Sequence, residues 1–412
     1  MTTFDKFAKK YPDPVQAHRE FAMDLYRHGK FVEAIAEQHK AVANAEKTKN
    51  IDADEYNRLA SYYYAVKDFT HAAEFYQKAL TIAPNHPVIQ ENLSIMYFKQ
   101  QKYQESHDLL ISLYQQKPDN INVNDMLSAT NGLLGNLDEA KFHGEKSLTL
   151  KDELVHQPDN LKAIAELKHA YDRNAPAAKP FCYANPQRNV IAFSLWGNHY
   201  YYIQGALLNA LYIRHLYPGW TARFYYADDV PQKTITSLAK SGAQMIKMGK
   251  HEGAYQALFW RFHVAHDKDV DRFLIRDTDS VVTCQERLAV DEWLRSDKAF
   301  HIIRDFYTHT DLILAGLWGG VGNCFPDLTP YIRKFYQTHM PERTIDQQFL
   351  RYNIWPLIKD NVLIHDSCHQ VFDAKDFAPL GHNPSTIHVG LGWTKIPYIP
   401  GKELLQEINH DS

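Results

Sequence analysis

The chain has 412 residues, enough for two or three domains at roughly 100–200 residues each. Hydrophobic residues make up 45% and charged residues 23%, an ordinary balance for a folded protein with an ample core. Lys and Arg number 45 against 49 Asp and Glu, so the formal net charge is −4, which argues against a nucleic-acid or polybasic membrane binder driven by whole-protein charge.

The N-terminus, MTTFDKFAKKYPDP, lacks the apolar stretch of a signal peptide, and no 18-residue apolar run follows it. The expected compartment is the cytoplasm, without a transmembrane segment. A membrane-anchored polymer acceptor would add a peripheral position at the inner membrane face, although the chain advertises no polybasic surface for it. Cys182, Cys284, Cys324 and Cys368 form no CxxC pair, so four reduced thiols are expected.

Residues 1–173 read as helical almost throughout. Phe31, Phe69, Tyr103 and Leu137 recur at spacings of 38, 34 and 34, each followed three residues later by Ala34, Ala72, Ser106 or Ala140. The pairs Phe21-Ala22, Leu59-Ala60, Leu93-Ser94 and Leu127-Ser128 recur at the same spacings, and Pro84 and Pro118 close two units. A 34-residue period marks helix–turn–helix units that stack into a solenoid, with small residues where helices cross. The segment resembles the tetratricopeptide repeat family over about residues 15–152. It is strongest in DEYNRLASYYYAVKDFTHAAEFYQKALTIAPNHP and degenerate in the fourth unit at Asn131 and Gly144. A last helix near 160–172 is expected to cap the stack. The resemblance implies a surface that binds a protein partner, an acceptor or another subunit, or self-association through the repeats.

Residues 174–189 hold three prolines and read as a linker. From 190 to 412 short apolar strands alternate with helices. Strands are expected at 190–195, 222–226, 243–248 and 273–275, and helices at 203–215, 231–241 and 255–265. That order predicts a Rossmann-like, mostly parallel sheet with helices on both faces. Ligands bind such sheets beyond the carboxyl ends of their strands.

After the fourth strand comes Arg276-Asp277-Thr278-Asp279-Ser280. Asp52/Asp54 and Asp267/Asp269/Asp271 share the spacing but lie in polar surroundings. Asp277 and Asp279 sit between FLI and VV, at the end of a buried strand. Two desolvated carboxylates repel unless a cation neutralises them, and a hard divalent ion with oxygen ligands does so. The bland alternative is a carboxylate pair capping the next helix.

This half resembles the GT-A-fold glycosyltransferases, which carry D-x-D after about four strands. A haloacid-dehalogenase-like phosphatase with Asp277 as nucleophile also fits the local string, but that motif opens its domain, whereas three βα units precede it here. IHVGLGWTKIPY, at 387–398, resembles the H-x-G-x-x-K-P-W ending of the retaining family-eight group, with extra residues between His and Lys and one before Pro397. The resemblance implies His388 as a third metal ligand beside Asp277 and Asp279, and Lys395 on the donor diphosphate. DQQFL, at 346–350, resembles the D-Q-D-x-L helix start, which implies Asp346 and Gln347 beneath the donor sugar; a helix N-cap region explains the same residues. Arg261, on the helix before D-x-D, matches an arginine that reaches the donor. LAG, at 314–316, resembles the N-A-G strand lining the sugar pocket, which implies donor contacts from Ala315 and Gly316; Arg276 and Thr278 are expected to join them. Trp196, Asn198 and Tyr200 follow the first strand and are expected to meet the nucleotide base, or else to pack as an aromatic patch.

His365 and His369 share helical spacing, but VLIHDSCHQ reads as a strand and loop, which favours packing or acceptor contact over zinc. Arg304-Asp305 is a candidate for the sugar side. The implied function is transfer of a sugar from a nucleotide diphosphate, expected to be UDP-linked, to a glycan or protein acceptor, with Mn²⁺ or Mg²⁺ as cofactor and retention of anomeric configuration. The alternatives are a repeat scaffold whose second domain only binds nucleotide sugar, and the phosphatase.

Overall fold

The computed structural model describes residues 3–173, 180–251, 253, 255–377 and 388–396. The chain divides into two compact units, Met1–Gly144 and Glu145–Ser412.

The first unit is helical. The second helix of each repeat begins at the residue the sequence alignment marks: Phe31–Lys47, Phe69–Ile82, Tyr103–Gln116 and Leu137–Val155. Their partners are Pro14–Arg27, Ala53–Ala65, Pro87–Lys99 and Ile121–Leu134. Ala34, Ala72, Ser106 and Ala140 are wholly buried, as small residues at a close helix crossing must be. Two crossings are also hydrogen-bonded, with Ser106 Oγ donating to the Ser94 carbonyl at 2.9 Å and Ser128 Oγ to the Ala140 carbonyl at 2.8 Å. In the degenerate fourth unit, Gly135 ends its helix in the left-handed region at φ +84° and Asn131 is buried, accepting from the Asn136 side chain.

The unit boundary differs from the expected one. It falls inside the helix Leu137–Val155, not at 173. The expected cap separates into Pro158–Ala163 and Ala165–Arg173. Leu167 and Tyr171 bury their side chains with Val190, Phe273 and Phe300 of the second unit, and Tyr171 stacks on Phe325 at 5.3 Å. Of the expected linker, 174–179 lie outside the described residues. Beyond them Phe181 stacks on Trp220 at 5.3 Å and Pro186–Arg188 forms a 3₁₀ turn, so this stretch packs on the sheet unit.

The second unit is built on a seven-stranded sheet among the described residues: β1 (Asn189–Leu195), β2 (Thr221–Ala227), β3 (Gln244–Gly249), β4 (Arg272–Arg276), β5 (Phe300–Arg304), β6 (Leu317–Val321) and β7 (Val362–Asp366). The order is β3-β2-β1-β4-β6-β5-β7. Pairs β1/β2, β2/β3, β1/β4 and β5/β7 are parallel, and β6 runs antiparallel to both β4 and β5. The sheet is therefore mixed. Side chains alternate across it: Val190 and Ala192 join one core, Ile191, Phe193 and Leu195 the other. Helices cover both faces. Tyr200–Leu216 and Cys284–Arg295 bury residues in one core, and residues of 256–266 and 345–358 lie in the other. The segment 256–266 is 3₁₀ rather than α-helical. The four cysteines are free, with Cys324 and Cys368 buried.

Candidate functional site

The chain leaves β1 towards β2 on one side and returns in β4 on the other. The strand order thus reverses between β1 and β4, where the carboxyl ends of an open sheet leave a crevice. A cavity of about 870 Å³ opens there. Ser194, Leu195 and Trp196 reach it from the end of β1, Asp277, Thr278 and Asp279 from the end of β4, and Leu314 to Leu317 from the start of β6. Because β6 is antiparallel to β4, with Leu317 opposite Arg276, its incoming segment meets the motif.

Gly316 is required by this approach. A Cβ on it would collide with Asp277 Oδ2. The helix Tyr200–Leu216 holds the motif from the other side. Asn209, wholly buried, donates to the Ser280 carbonyl at 2.6 Å and accepts from the Val282 amide at 3.1 Å. Trp393 donates its backbone N–H to the Asp279 carbonyl at 2.9 Å and its indole N–H to the Tyr201 carbonyl at 2.9 Å, and it stacks on the Tyr201 ring.

Arg261 lies at the base of the cavity, 3% exposed. Its guanidinium donates to Asp277, to Asp346 Oδ2 at 2.9 Å and to the Arg276 carbonyl at 3.0 Å. Burial opposes its charge, but Asp277 and Asp346 outweigh burial and hold its pKa above the ordinary value. Asp279 has no such partner. Burial first, and the charge of Asp277 second, push its carboxyl up to about 6. Burial also raises Asp346, against the pull of Arg261.

Asp346 and Gln347 stand in the five-residue helix Ile345–Phe349. Thr344 does not cap this helix; its hydroxyl donates to Glu342 at 3.1 Å. The Gln347 amide donates to Asp311 at 2.9 Å, and Arg351 pairs with the same carboxylate. Arg351 and Lys151 outweigh burial and keep the Asp311 pKa low.

Of the residues expected from the sequence, Trp196, Arg261, Asp277, Thr278, Asp279, Ala315, Gly316, Asp346 and Gln347 share the cavity wall. Asn198 and Tyr200 do not line it; Tyr200 is 66% exposed. Arg276 is turned away into the core, where it pairs with Glu286, because a strand residue one position before the motif faces the opposite side of the sheet. Arg304 and Asp305 are wholly buried. Arg304 donates to Asp366 at 2.6 Å, and Asp305 accepts from Ser367 at 2.6 Å and from the Val389 amide at 2.7 Å. His365 bonds His301 at 2.9 Å and Glu292 at 3.0 Å.

The expected metal triad is not assembled. His388 stacks on Phe306, with ring centroids 4.4 Å apart, and its Nδ1 lies 3.0 Å from the Val389 carbonyl. Among the described residues no three His, Cys, Asp or Glu side chains gather closely enough to hold a metal ion. Lys395 is exposed and absent from the cavity wall. Ile387, Pro397 and Tyr398 of the same motif lie outside the described residues. The Asp277/Asp279 pair does fit a hard divalent ion in its chemistry: two carboxylates at an open cavity, one of them destabilised by the other.

Sequence reading missed His309, Arg343, Tyr202, Tyr255 and Thr308 on the wall. They come from loops or aromatic runs with no periodic signal. Burial first, and then the charges of His388, His369 and Arg304, lower the pKa of His309.

Residues 53–86 match the tetratricopeptide repeat family. No curated protein matches the chain. Among solved structures, a crystal structure of MamA is 18% identical and covers 36% of this chain and 85% of its own, with a TM-score of 0.33. MamA from Desulfovibrio magneticus RS-1 is 18% identical over 39% and 85%, at 0.32. YrrB, a TPR protein with an unusual peptide-binding site, is 17% identical over 42% and 85%, also at 0.32. No described helix is long and apolar enough to cross a membrane.

Proposed function

We propose that the second unit is a metal-dependent glycosyltransferase of GT-A type, moving a sugar from a nucleotide diphosphate, UDP-linked, to a glycan or protein acceptor. The repeat unit would recruit the acceptor or a protein partner. One observation carries the reading: the Asp277-Thr278-Asp279 motif directly follows β4 at the reversal of strand order, on the wall of a cavity shared with Arg261, Asp346 and Gln347.

Asp277 and Asp279 would hold Mn²⁺ or Mg²⁺, which when bound neutralises the leaving diphosphate. Arg261 fixes Asp277 and Asp346 together, so both carboxylates are oriented before a ligand arrives. Asp311 accepts from the Gln347 NH₂ group, which orients the amide and leaves its oxygen open as an acceptor. An acceptor oxygen of that kind stabilises positive charge on a sugar ring without taking a proton.

The decisive experiment is turnover of a panel of nucleotide sugars with and without Mn²⁺, in the parent and in Asp277→Asn and Asp279→Asn. The expected result is Mn²⁺-dependent turnover that falls at least about a hundredfold in either variant. A covalent aspartyl-phosphate on Asp277 would overturn it in favour of a phosphatase. The scaffold reading is favoured by the family match within the repeats at 53–86. Nucleotide-sugar binding without turnover, together with capture of a partner by the repeats, would decide for it.

A further inference from the structure

We propose that Arg343 is the side chain that grips the diphosphate of the nucleotide ligand. This rests on the donor-site reading above.

Two arginines line the cavity, Arg261 and Arg343. A ligand bearing two phosphates brings concentrated negative charge, and the wall already carries Asp277, Asp279 and Asp346. Arg261 is committed. Its two terminal nitrogens are taken up by Asp277, Asp346 and a main-chain carbonyl, and it is buried. Its charge is already opposed by two carboxylates, so it organises the acids rather than adding positive charge for an anion.

Arg343 is in the opposite condition. It is exposed at the cavity wall and makes no hydrogen bond or ion pair among the described residues. Its neighbouring acid does not hold it, since Glu342 accepts instead from the Thr344 hydroxyl and the Gln348 amide. Arg343 shares the cavity wall with Asp277 and Asp279, two residues before the short helix that carries Asp346 and Gln347. A guanidinium fork matches adjacent phosphate oxygens with two parallel donors. Lys395, the residue implied for this role by the sequence resemblance, is not on the wall.

The test is calorimetric titration of the full chain with UDP, UMP and uridine in the presence of Mn²⁺, for the parent, Arg343→Ala and Arg343→Lys. Arg343 is exposed, so the unliganded variants should melt with the parent. UDP affinity is expected to fall about ten- to a hundredfold in Arg343→Ala, to be partly restored in Arg343→Lys, and uridine affinity to stay unchanged. Equal UDP affinity in parent and Arg343→Ala overturns the assignment while leaving the donor site standing. Equal losses for uridine and UDP also overturn it, because the side chain would then shape the pocket rather than hold phosphate. A parent that binds none of the three overturns the donor-site reading and this inference with it.

Discussion

At the scale of single residues, the acids of the cavity are unequal. Asp277 has Arg261; Asp279 has no comparable partner, and its carboxyl rises to about 6 from 3.8. A carboxyl whose folded pKa exceeds its unfolded value binds a proton more tightly when folded. The stability from that proton is fully present below about pH 3.8 and is lost as pH rises through about 6. Asp279→Asn should therefore leave the protein more stable than the parent at pH 7, by roughly 1–2 kcal/mol after allowance for solvent screening. Near pH 4 the two should converge. Urea denaturation at the two pH values measures the difference, and no gain at pH 7 would contradict the account. Mn²⁺ should stabilise the parent more than the variant at pH 7. The place of the D-x-D motif at a strand end was legible from its apolar flanks, whereas Arg261 was expected only from the family resemblance. Arg276, adjacent in sequence, was misread because neighbours on a strand face opposite sides. Arg343 and Asn209 gave no signal, since their meaning comes from what folding brings beside them.

At the scale of elements, alternation of strand and helix was readable up to β4, with observed bounds close to those expected. Beyond it the pattern failed. β6 is antiparallel, inserted between β4 and β5, and a reversed central strand has the same buried apolar pattern as a parallel one. The helix Tyr200–Leu216 was found from its apolar run, yet its work on the motif is done by Gly205 and Asn209. A Cβ at position 205 would overlap the Thr278 carbonyl. Gly205→Ala is accordingly expected to cost about 1–3 kcal/mol through overpacking, despite alanine's better helix propensity. It should also weaken Mn²⁺-dependent UDP binding, because the backbone that moves carries Asp277 and Asp279. Denaturation and titration of the same variant test both effects. A stabilised variant with parental binding would show that the helix does not set the motif.

At the scale of the whole molecule, the change from a 34-residue helical period to strand–helix alternation revealed two units. Their boundary was hidden because the helix Leu137–Val155 belongs by period to the repeats and continues into the second unit, where Leu148 and Val155 join the sheet-side core. The repeats pack Leu59, Ala60, Ala72, Tyr76 and Leu93 in a cluster of their own, separate from the two cores that flank the sheet. Separate cores predict separable stability, since apolar contacts act locally and repeat units depend on their immediate neighbours. Leu59 is wholly buried. Leu59→Ala should remove about 2–5 kcal/mol from the repeat unit through the cavity it leaves. Amide hydrogen exchange should speed across 53–99, while amides of β1 and β4 keep their protection. The same variant should retain the stabilisation of its sheet unit by UDP and Mn²⁺. If β1 and β4 lose protection in step with the repeats, the two cores unfold as one cooperative system. Binding at the repeats would then act directly on the stability of the sheet and its cavity.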